Sequence, residues 1–210
     1  MKIVKANQQG IKPALKYLKA GKVVIYPTDT CYGLGADTSN LQAVKRMYAV
    51  KGRELYKPVH VIVADLKMAK KYAVVDKWSQ KLFKKFMPAP ITIVMQLRAG
   101  KGQSWKILSA KTGTIGIAMS PNKTAMALVK KFGKPLTTTS ANFAGEITAY
   151  SVNSLLKQYR RRKHQPDLIL DGGTLPRRRP TTMVSVAGGR VKIFREGPIT
   201  KRQILAALKF

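Results

Sequence analysis

The feature that most constrains this chain is a short β-rich run that ends abruptly in a polar turn. Residues 23–26 are Val, Val, Ile and Tyr, a run typical of a strand buried on both faces. Pro27 ends the run, and residues 28–30 add two hydroxyls and a carboxylate. Such groups at the carboxyl end of a strand lie where open α/β sheets bind ligands, although they also form plain hydroxyl-stabilised turns that lead into a helix. Gly33 and Gly35 then allow close backbone approach to a ligand or a positive φ.

The rest of the chain alternates between strand-like and helix-like segments. Apolar β-rich runs predict strands, and helical spacing of apolar residues behind capping residues predicts helices between them. The pattern predicts one α/β domain over residues 1–210, with a twisted mixed β-sheet flanked by helices. The predicted strands are residues 2–5, 23–26, 59–63, 91–97, 114–119, 136–139, 168–170, 183–186 and 191–194. The predicted helices are residues 8–20, 41–51, a short segment after Asp65, 77–86, 122–132, 151–162 and a last helix capped by Thr200, with 98–111 unassigned.

Cysteine and histidine are too scarce for several classes of site. The chain holds one cysteine, Cys31, and two histidines, His60 and His164. One cysteine excludes an intramolecular disulfide, and the three residues together cannot assemble a zinc site of cysteine and histidine ligands. We expect Cys31 to be a small buried residue rather than a nucleophile, and neither histidine to be a strong catalytic candidate.

The charge is strongly one-sided. Forty lysines and arginines against nine aspartates and glutamates give a net charge of +31, and residues 77–85 and 123–134 contain cations without any acid. This excess predicts attraction to polyanions such as RNA, unless surface acids have simply been replaced. No apolar run reaches the roughly 18 residues of a membrane span, and the first residues lack the apolar segment of a signal peptide. We therefore expect a cytoplasmic protein without a membrane partner.

Scattered side chains must hold any nucleotide, because no phosphate-binding loop of the G-x-x-x-x-G-K-[ST] type occurs. Lys51 and Arg53 flank a glycine at a predicted helix end and could converge on an ATP phosphate, or simply form a glycine C-cap with favourable cations. Ser140 and Asn142 follow a strand end and could hold ribose or phosphate oxygens, or form a turn. Residues 177–179 are three arginines between two prolines. These arginines are either solvated or in contact with RNA or a triphosphate.

Six short motifs occur in an order that resembles one enzyme family. They are Pro27-Thr28-Asp29-Thr30 with the following Cys31-Tyr32-Gly33-Leu34-Gly35, Lys51-Gly52-Arg53, Lys57-Pro58, Pro90-Ile91-Thr92, Ser140-Ala141-Asn142 and Arg195-Glu196-Gly197. They extend over nearly the whole chain and resemble the motifs of the YrdC/Sua5 family of threonylcarbamoyl-AMP synthases, in its single-domain form. The resemblance implies a YrdC/RibB-like fold, in which a twisted mixed β-sheet is flanked by helices and leaves an open basic concave face.

The resemblance also implies a reaction. The family joins L-threonine, bicarbonate and ATP into threonylcarbamoyl-AMP and releases pyrophosphate, for the N6-threonylcarbamoyladenosine modification of tRNA. Thr28, Lys51 and Arg53 would be catalytic, Mg²⁺ would accompany ATP, and no metal would be held by the protein's own side chains. Partners would be tRNA or duplex RNA and downstream tRNA-modification proteins. The implied substrate-binding residues are Thr28, Thr30, Lys51, Arg53, Ser140, Asn142, Thr181 and Arg195.

The chain departs from the family pattern at several positions. The most important is Ala118, because the pattern has an arginine there that would bind a substrate anion. Loss of one charge-assisted hydrogen bond costs about 1.5–3 kcal/mol, so we expect ATP binding with slow turnover. Alternatively, another cation such as Arg177 or Arg179 replaces the missing arginine. The other departures are Ala89, Ser120, Ala144 and Ser185.

A second class of function fits the same chain. An RNA-binding module on this fold, without turnover, is suggested by the net charge and by the basic clusters at residues 160–163 and 177–179. Its affinity for duplex RNA would fall steeply with salt. The two functions are compatible, so an assay for the product separates them better than an RNA-binding assay.

Overall fold

A computed structural model describes residues 1–208, and the last two residues of the predicted domain, 209 and 210, lie outside this range. The strands are β1 (Lys2–Lys5), β2 (Val24–Pro27), β3 (Tyr32–Gly35), β4 (Val61–Ile62), β5 (Ile91–Gln96), β6 (Thr114–Ala118), β7 (Leu136–Thr137), β8 (Thr139–Ser140), β9 (Leu168–Asp171), β10 (Thr182–Ser185) and β11 (Lys192–Arg195). The helices are α1 (Gln8–Lys19), α2 (Leu41–Lys51), α3 (Leu66–Tyr72), α4 (Lys77–Phe86), α5 (Gln103–Leu108), α6 (Lys123–Phe132), α7 (Val152–Tyr159) and α8 (Lys201–Leu208).

The strands form two mixed sheets, one of five strands in the order β1-β9-β2-β3-β8 and one of six in the order β11-β10-β5-β6-β4-β7. The predicted α/β class and the mixed pairing with flanking helices are therefore confirmed, but the strands divide between two sheets rather than one. The predicted strand 136–139 explains part of the difference. Its first half, β7, pairs with β4, whereas Thr139 and Ser140 pair with β3 of the other sheet. The chain thus crosses between the sheets at Thr138.

Short-range signals in the sequence set the helix ends. The side chains of Asn40, Asp65 and Asp76 each accept a hydrogen bond from a backbone N–H in the first turn of α2, α3 and α4. Gly52 and Gly133 end α2 and α6 with φ values of +64° and +78°. A residue without Cβ adopts this left-handed conformation at the lowest cost. These ends confirm the helix starts predicted at residues 41 and 77 and after Asp65, and the glycine C-cap at Gly52.

Two helices differ from prediction. α5 lies within the unassigned segment, where the ring of its buried Trp105 stacks on Tyr72 with centroids 4.7 Å apart. Its start at Gly102 has no side-chain cap, so no local signal announces it. α7 ends at Tyr159 rather than residue 162, and the basic cluster 160–163 follows the helix instead of ending it.

Neither glycine after the polar turn has a positive φ, and Gly35 serves packing rather than ligand approach. Both lie in β3, which forms an antiparallel hairpin with β2. A Cβ on Gly35 would lie 2.6 Å from Cε1 of the fully buried Tyr26 ring. The expectation that Gly35 admits a ligand is therefore wrong, because the neighbouring strand fills that space.

Buried apolar side chains hold the two sheets together. The larger hydrophobic cluster includes Ile25 and Leu34 from the five-stranded sheet and Ile93 and Val184 from the six-stranded sheet. A second cluster packs α1 and α6, through residues such as Leu18 and Leu128, against the opposite face of β2 and β9. Within residues 1–208, no helix is both long and apolar enough to cross a membrane.

Candidate functional site

A cavity of about 440 Å³ has walls from both sheets. The five-stranded sheet contributes the turn between β2 and β3 and the end of β8, and the six-stranded sheet contributes the ends of β6, β10 and β11. This volume is within the range of small-molecule sites. Lys51 and Asn142 lie beside the cavity without lining it. The predicted site residues that line the cavity are Thr28, Thr30, Arg53, Ser140, Thr181 and Arg195.

The turn between β2 and β3 is closed by its own first hydroxyl. Oγ1 of Thr28 donates to the carbonyl oxygen of Cys31 at 2.6 Å and accepts from the N–H groups of Thr30 and Cys31, each at 3.3 Å. The alternative of a hydroxyl-stabilised turn therefore describes Thr28, although Asn40 rather than the turn caps α2. Thr30 is less engaged, since its hydroxyl is 3.5 Å from that of Thr28 and 3.9 Å from Sγ of Cys31. Its hydroxyl remains available to a ligand in the cavity.

Asp29 supplies the carboxylate of the turn. Its Oδ1 accepts a hydrogen bond of 2.6 Å from Oγ of Ser120, a residue 91 positions away that departs from the family pattern. Its Oδ2 is buried and has no hydrogen-bond partner within residues 1–208. A buried acceptor without a partner is unfavourable, so this oxygen marks a position where a bound cation or donor would stabilise the site.

Lys51 is buried, and its ammonium group is surrounded by four oxygen acceptors. Nζ lies 2.7 Å from the carbonyl oxygen and 3.2 Å from Oγ of Ser140. It also lies 2.6 Å from the carbonyl oxygen and 2.9 Å from Oδ1 of Asn142. Burial, and then Arg53, lower the pKa of Lys51 to about 8, and below that pH all three of its protons are directed at these oxygens. The predicted contact with an ATP phosphate stays a prediction, because here the amine holds the protein's own loop.

That loop, residues 140–146, is fastened to the end of α2 at several points. The backbone N–H of Ala144 donates to the carbonyl oxygen of Lys51 at 2.8 Å. The side-chain amide of Asn142 donates to the carbonyl of Glu146 at 2.7 Å, which leaves Oδ1 facing Lys51. Phe143 covers Gly52, where a Cβ would lie 2.2 Å from the ring. The Lys51-Gly52-Arg53 segment therefore fixes the position of Ser140 at the cavity wall.

The two predicted arginines of the cavity are each partly held by the protein. Nη2 of Arg53 donates to the carbonyl oxygen of Pro58 at 3.1 Å, while its buried Nε has no partner within residues 1–208. Nε and Nη2 of Arg195 donate to the carbonyl oxygen and to Oγ1 of Thr181, each at 2.9 Å. An unpartnered guanidinium N–H beside a cavity favours an anionic ligand.

Sequence reasoning missed the position of His60. It lines the cavity, and burial followed by repulsion from Arg195 and Arg53 lowers its pKa to about 4, so the imidazole is neutral at neutral pH. Strand alternation places His60 and Ile62 on the same face, and this signal was available in the sequence. Cys31 is partly exposed and lines the cavity, so the expectation that it is a small buried residue is wrong. Burial of the thiol still raises its pKa, which supports the expectation that Cys31 is not a nucleophile.

Ala118 faces the cavity from the end of β6. β6 pairs with β4 and β5, whereas Ser140 lies in the other sheet. Both residues reach the cavity from opposite sheets. Of the three consecutive arginines, the one that lines the cavity is Arg178, not Arg177 or Arg179.

These features define an α/β protein with a polar, predominantly cationic cavity between two mixed sheets. The family model for Sua5/YciO/YrdC proteins, described as "Telomere recombination", matches residues 16–197. The chain therefore belongs to the Sua5/YciO/YrdC family, and the family inferred from the six motifs is confirmed.

Known proteins of this family align over most of the chain. A threonylcarbamoyl-AMP synthase of Pseudoalteromonas translucida is 32% identical over 190 residues, which cover 89% of this chain and 98% of that protein. E. coli YciO superposes with a TM-score of 0.80 at 25% identity, covering 94% of this chain and 95% of its own. P. abyssi Sua5, crystallised with L-threonine, superposes with a TM-score of 0.87 at 23% identity. The present chain is covered to 98% but spans 59% of that Sua5 chain.

Proposed function

We propose that this chain is an L-threonylcarbamoyladenylate synthase that uses L-threonine, bicarbonate and ATP. The observation that carries the proposal is the cavity that gathers Arg53, Arg195, Ser140 and Thr30 on walls from two sheets. Similarity to a protein named threonylcarbamoyl-AMP synthase supports the reaction, and the threonine complex of P. abyssi Sua5 supports the substrate. The product would serve tRNA modification in the cytoplasm, together with downstream tRNA-modification proteins.

The chemistry requires positioning and positive charge more than a covalent nucleophile. The amine of threonine and bicarbonate form a carbamate with loss of water. An oxygen of the carbamate then bonds to the α-phosphorus of ATP, and the bond from that phosphorus to the oxygen bridging to the β-phosphate breaks. The electron pair of that bond leaves with pyrophosphate. Charge builds on phosphate oxygens, so fixed cations and N–H or O–H donors stabilise the transition state.

The side chains suit different parts of this reaction. Arg53 offers a buried N–H without a partner and would bind a phosphate oxygen, while Arg195 would close over the site from β11. Ser140 accepts from Lys51 through Oγ, which leaves its own hydroxyl proton free to donate to a substrate oxygen. Thr30 would orient threonine or its carbamate. Lys51 would act on substrate mainly by holding Ser140 in place.

Mg²⁺ would enter with the nucleotide. Magnesium in nucleotide sites is commonly held by one or two carboxylates together with the phosphates themselves. Asp29 is the one carboxylate that lines the cavity within residues 1–208, and its Oδ2 has no partner, so the residues fit such an ion. When bound, the ion would neutralise charge on the phosphate oxygens.

Pyrophosphate release tests the proposal directly. We expect release only when ATP, L-threonine and bicarbonate are all present, with threonylcarbamoyl-AMP appearing in equal amount by mass spectrometry. The Arg53→Ala variant should bind ATP about tenfold more weakly, because it loses a charge-assisted contact. Release that continues without threonine would show that threonine is not the acceptor, and unchanged ATP affinity in Arg53→Ala would move the phosphate site elsewhere.

We also propose that turnover is slow relative to relatives that carry an arginine at the position of Ala118. This residue faces the cavity with no charge to offer, and Ala89 lines the same space. Ala118→Arg should therefore increase product formation at least tenfold. A variant no faster than its parent would show that the alanine causes no deficit.

A second function, binding of tRNA or duplex RNA, rests on the unbalanced surface. With a net charge of +31, four ion pairs occur among residues 1–208, so most cations face solvent without an acidic partner. Duplex RNA binding should weaken with salt on a log–log plot, with a slope of roughly −0.9 per phosphate contact if the duplex behaves like B-DNA. Affinity that is constant between 50 and about 300 mM salt would exclude this function.

A further inference from the structure

The loop of three consecutive arginines directs its middle member into the cavity. Pro176 and Pro180 restrict the backbone on either side of the three arginines. The guanidinium of Arg177 lies over the ring of Tyr150, 5.8 Å from its centroid, and Nη2 of Arg179 lies 3.4 Å from the carbonyl oxygen of Glu196. Both outer arginines thus contact the protein, and Arg178 between them lines the cavity.

Arg178 differs from the other two arginines of the cavity in having no partner. Arg53 and Arg195 each donate to protein oxygens, whereas no hydrogen bond or ion pair within residues 1–208 involves the guanidinium of Arg178. All five of its N–H donors are therefore free for a ligand. Asp29 is the carboxylate of the cavity wall, and its Oδ1 is already bonded to Ser120. The cavity keeps an excess of positive charge that an anion would neutralise.

The position of Arg178 indicates which anion. Arg195 donates twice to Thr181, and Arg178 is three residues before Thr181, a separation of at most about 10 Å along the backbone. Both long side chains can therefore reach the space in front of Thr181. Two exposed guanidiniums on one wall exceed what a single carboxylate needs, since one arginine binds a carboxylate with two hydrogen bonds. Two neighbouring phosphate groups match this arrangement.

We propose that Arg178, together with Arg195 and the hydroxyl of Thr181, binds the β- and γ-phosphates of the nucleotide. The inference deepens the proposed function and rests on it for the nature of the leaving group, which is pyrophosphate. Arg178 then contacts the part of ATP that departs as pyrophosphate.

Binding of inorganic pyrophosphate, ATP and AMP to single variants tests the inference by calorimetry. Arg178→Ala should lower the affinity for pyrophosphate and for ATP about tenfold. This is the lower end of the effect expected for a charge-assisted contact, because the site is exposed. AMP lacks the β- and γ-phosphates, so its affinity should stay the same. Arg178→Lys should fall between, because lysine keeps the charge but loses the two-pronged geometry.

Arg177→Ala and Arg179→Ala are matched controls. Each removes the same charge at a position adjacent to Arg178, and neither Arg177 nor Arg179 lines the cavity. The affinity of both variants for pyrophosphate should stay within about twofold of the wild-type value, because the proposed effect depends on a direct contact rather than on net charge. Equal losses in all three variants, no loss in Arg178→Ala, or an equal loss of AMP affinity would overturn the inference. A wild-type chain that binds neither ATP nor pyrophosphate would also overturn it.

The binding experiment is independent of turnover. A wild-type chain that binds ATP but forms no product with threonine and bicarbonate would refute the proposed synthase, while the comparison of Arg178→Ala with its neighbours would still decide the phosphate contact. Conversely, normal product formation with an unaffected Arg178→Ala variant would refute the contact alone.

Discussion

At the scale of single residues, Lys51 combines a buried charge with four protein oxygens. Its ammonium group donates to two oxygens of Ser140 at the cavity wall and to two oxygens of Asn142, and the bonds to Asn142 are buried. A cation in such a place acts as a structural tie as much as a ligand for substrate. The family motif alone assigns Lys51 to binding of an ATP phosphate. The folded structure shows in addition that Lys51 holds the 140–146 loop.

Replacing Lys51 with a neutral side chain of similar length should therefore destabilise the fold. Lys51→Met leaves the four oxygens unpaired, and we expect a loss of about 3 kcal/mol in the free energy of unfolding in urea. Lys45→Met, at an exposed position of the same helix, is the matched control and should change stability by less than about 0.5 kcal/mol. Equal stabilities of the two variants would contradict the structural role.

His60 predicts a specific dependence of stability on pH. Its pKa in the folded chain, about 4, lies below the ordinary 6.5, so between these values the unfolded chain binds the additional proton. The stability associated with a neutral His60 is complete above pH 6.5 and is lost as the pH falls toward 4. Between pH 7.5 and 4.5 the wild type should lose about 2–3 kcal/mol more than His60→Gln.

The other histidine provides the control for this measurement. His164→Gln, at an exposed position, should keep the acid-induced loss that the wild type shows. Urea unfolding of the three proteins at several pH values between 4.5 and 7.5 gives the comparison. Parallel curves for the wild type and His60→Gln would mean that the imidazole is not kept neutral by the fold.

The sequence identified the site residues that short motifs contain and missed those that long-range folding brings together. Thr30, Arg53 and Arg195 belong to motifs and line the cavity as a group. The bond between Asp29 and Ser120 joins residues 91 positions apart, and no local pattern announces it. Which of three identical arginines faces inward also depends on contacts made by Arg177 and Arg179, not on their order in the chain.

At the scale of elements, the ends of α2 and α6 carry the same residue for different reasons. Both end in a glycine with positive φ, but Gly52 is covered by Phe143 of the 140–146 loop, whereas nothing lies within 4 Å of a Cβ placed on Gly133. Gly133 is therefore needed for its backbone conformation alone, and Gly52 for both conformation and space.

Alanine substitutions separate these two requirements. Gly133→Ala should lower the free energy of unfolding by about 1 kcal/mol through the left-handed backbone alone. Gly52→Ala meets the same strain and also displaces the Phe143 ring, which adds about 1–3 kcal/mol. Displacement of the ring would move Ser140, so Gly52→Ala should also weaken ATP binding while Gly133→Ala does not. Equal effects on stability would indicate that the loop is not packed on α2.

Helix and strand positions were largely predictable, but the sheet partition was not. Caps such as Asn40 and Asp76 act on neighbouring backbone groups, so they are visible in the sequence. Division of the strands depends on pairing between distant segments, as when Thr139 joins β3 while Leu136 joins β4. Helix α5 was hidden for a related reason, because Trp105 stabilises it by packing on Tyr72 rather than by a local cap.

At the scale of the whole molecule, charge repulsion opposes the compact state. Among the described residues, Asp29, Asp65 and Asp76 hold a serine or a helix start rather than forming an ion pair with a basic residue. Few acids therefore remain to offset a net charge of +31. Solvent ions must reduce the repulsion among surface cations.

Salt should consequently stabilise the fold. Between 50 and 300 mM NaCl we expect the Tm to rise by several degrees, since a gain of about 1 kcal/mol shifts the Tm of a chain of this size by roughly 2–4 °C. Choline chloride at the same ionic strength is the control and should give the same rise, because screening depends on ionic strength rather than on sodium. A Tm that is constant or falls with salt would contradict the repulsion argument.

The cavity with walls from two sheets also bears on how such a protein can be rearranged. Neither sheet alone holds a complete set of Thr30, Ser140, Arg53 and Arg195, and the chain passes back and forth between the sheets. Splitting or shuffling the sheets as separate modules would destroy the site, whereas joining the intact unit to another polypeptide would preserve it. We therefore expect the two sheets to be transferred between proteins only together, as one intact domain. P. abyssi Sua5 is consistent with this, because the same fold occupies 59% of its longer chain.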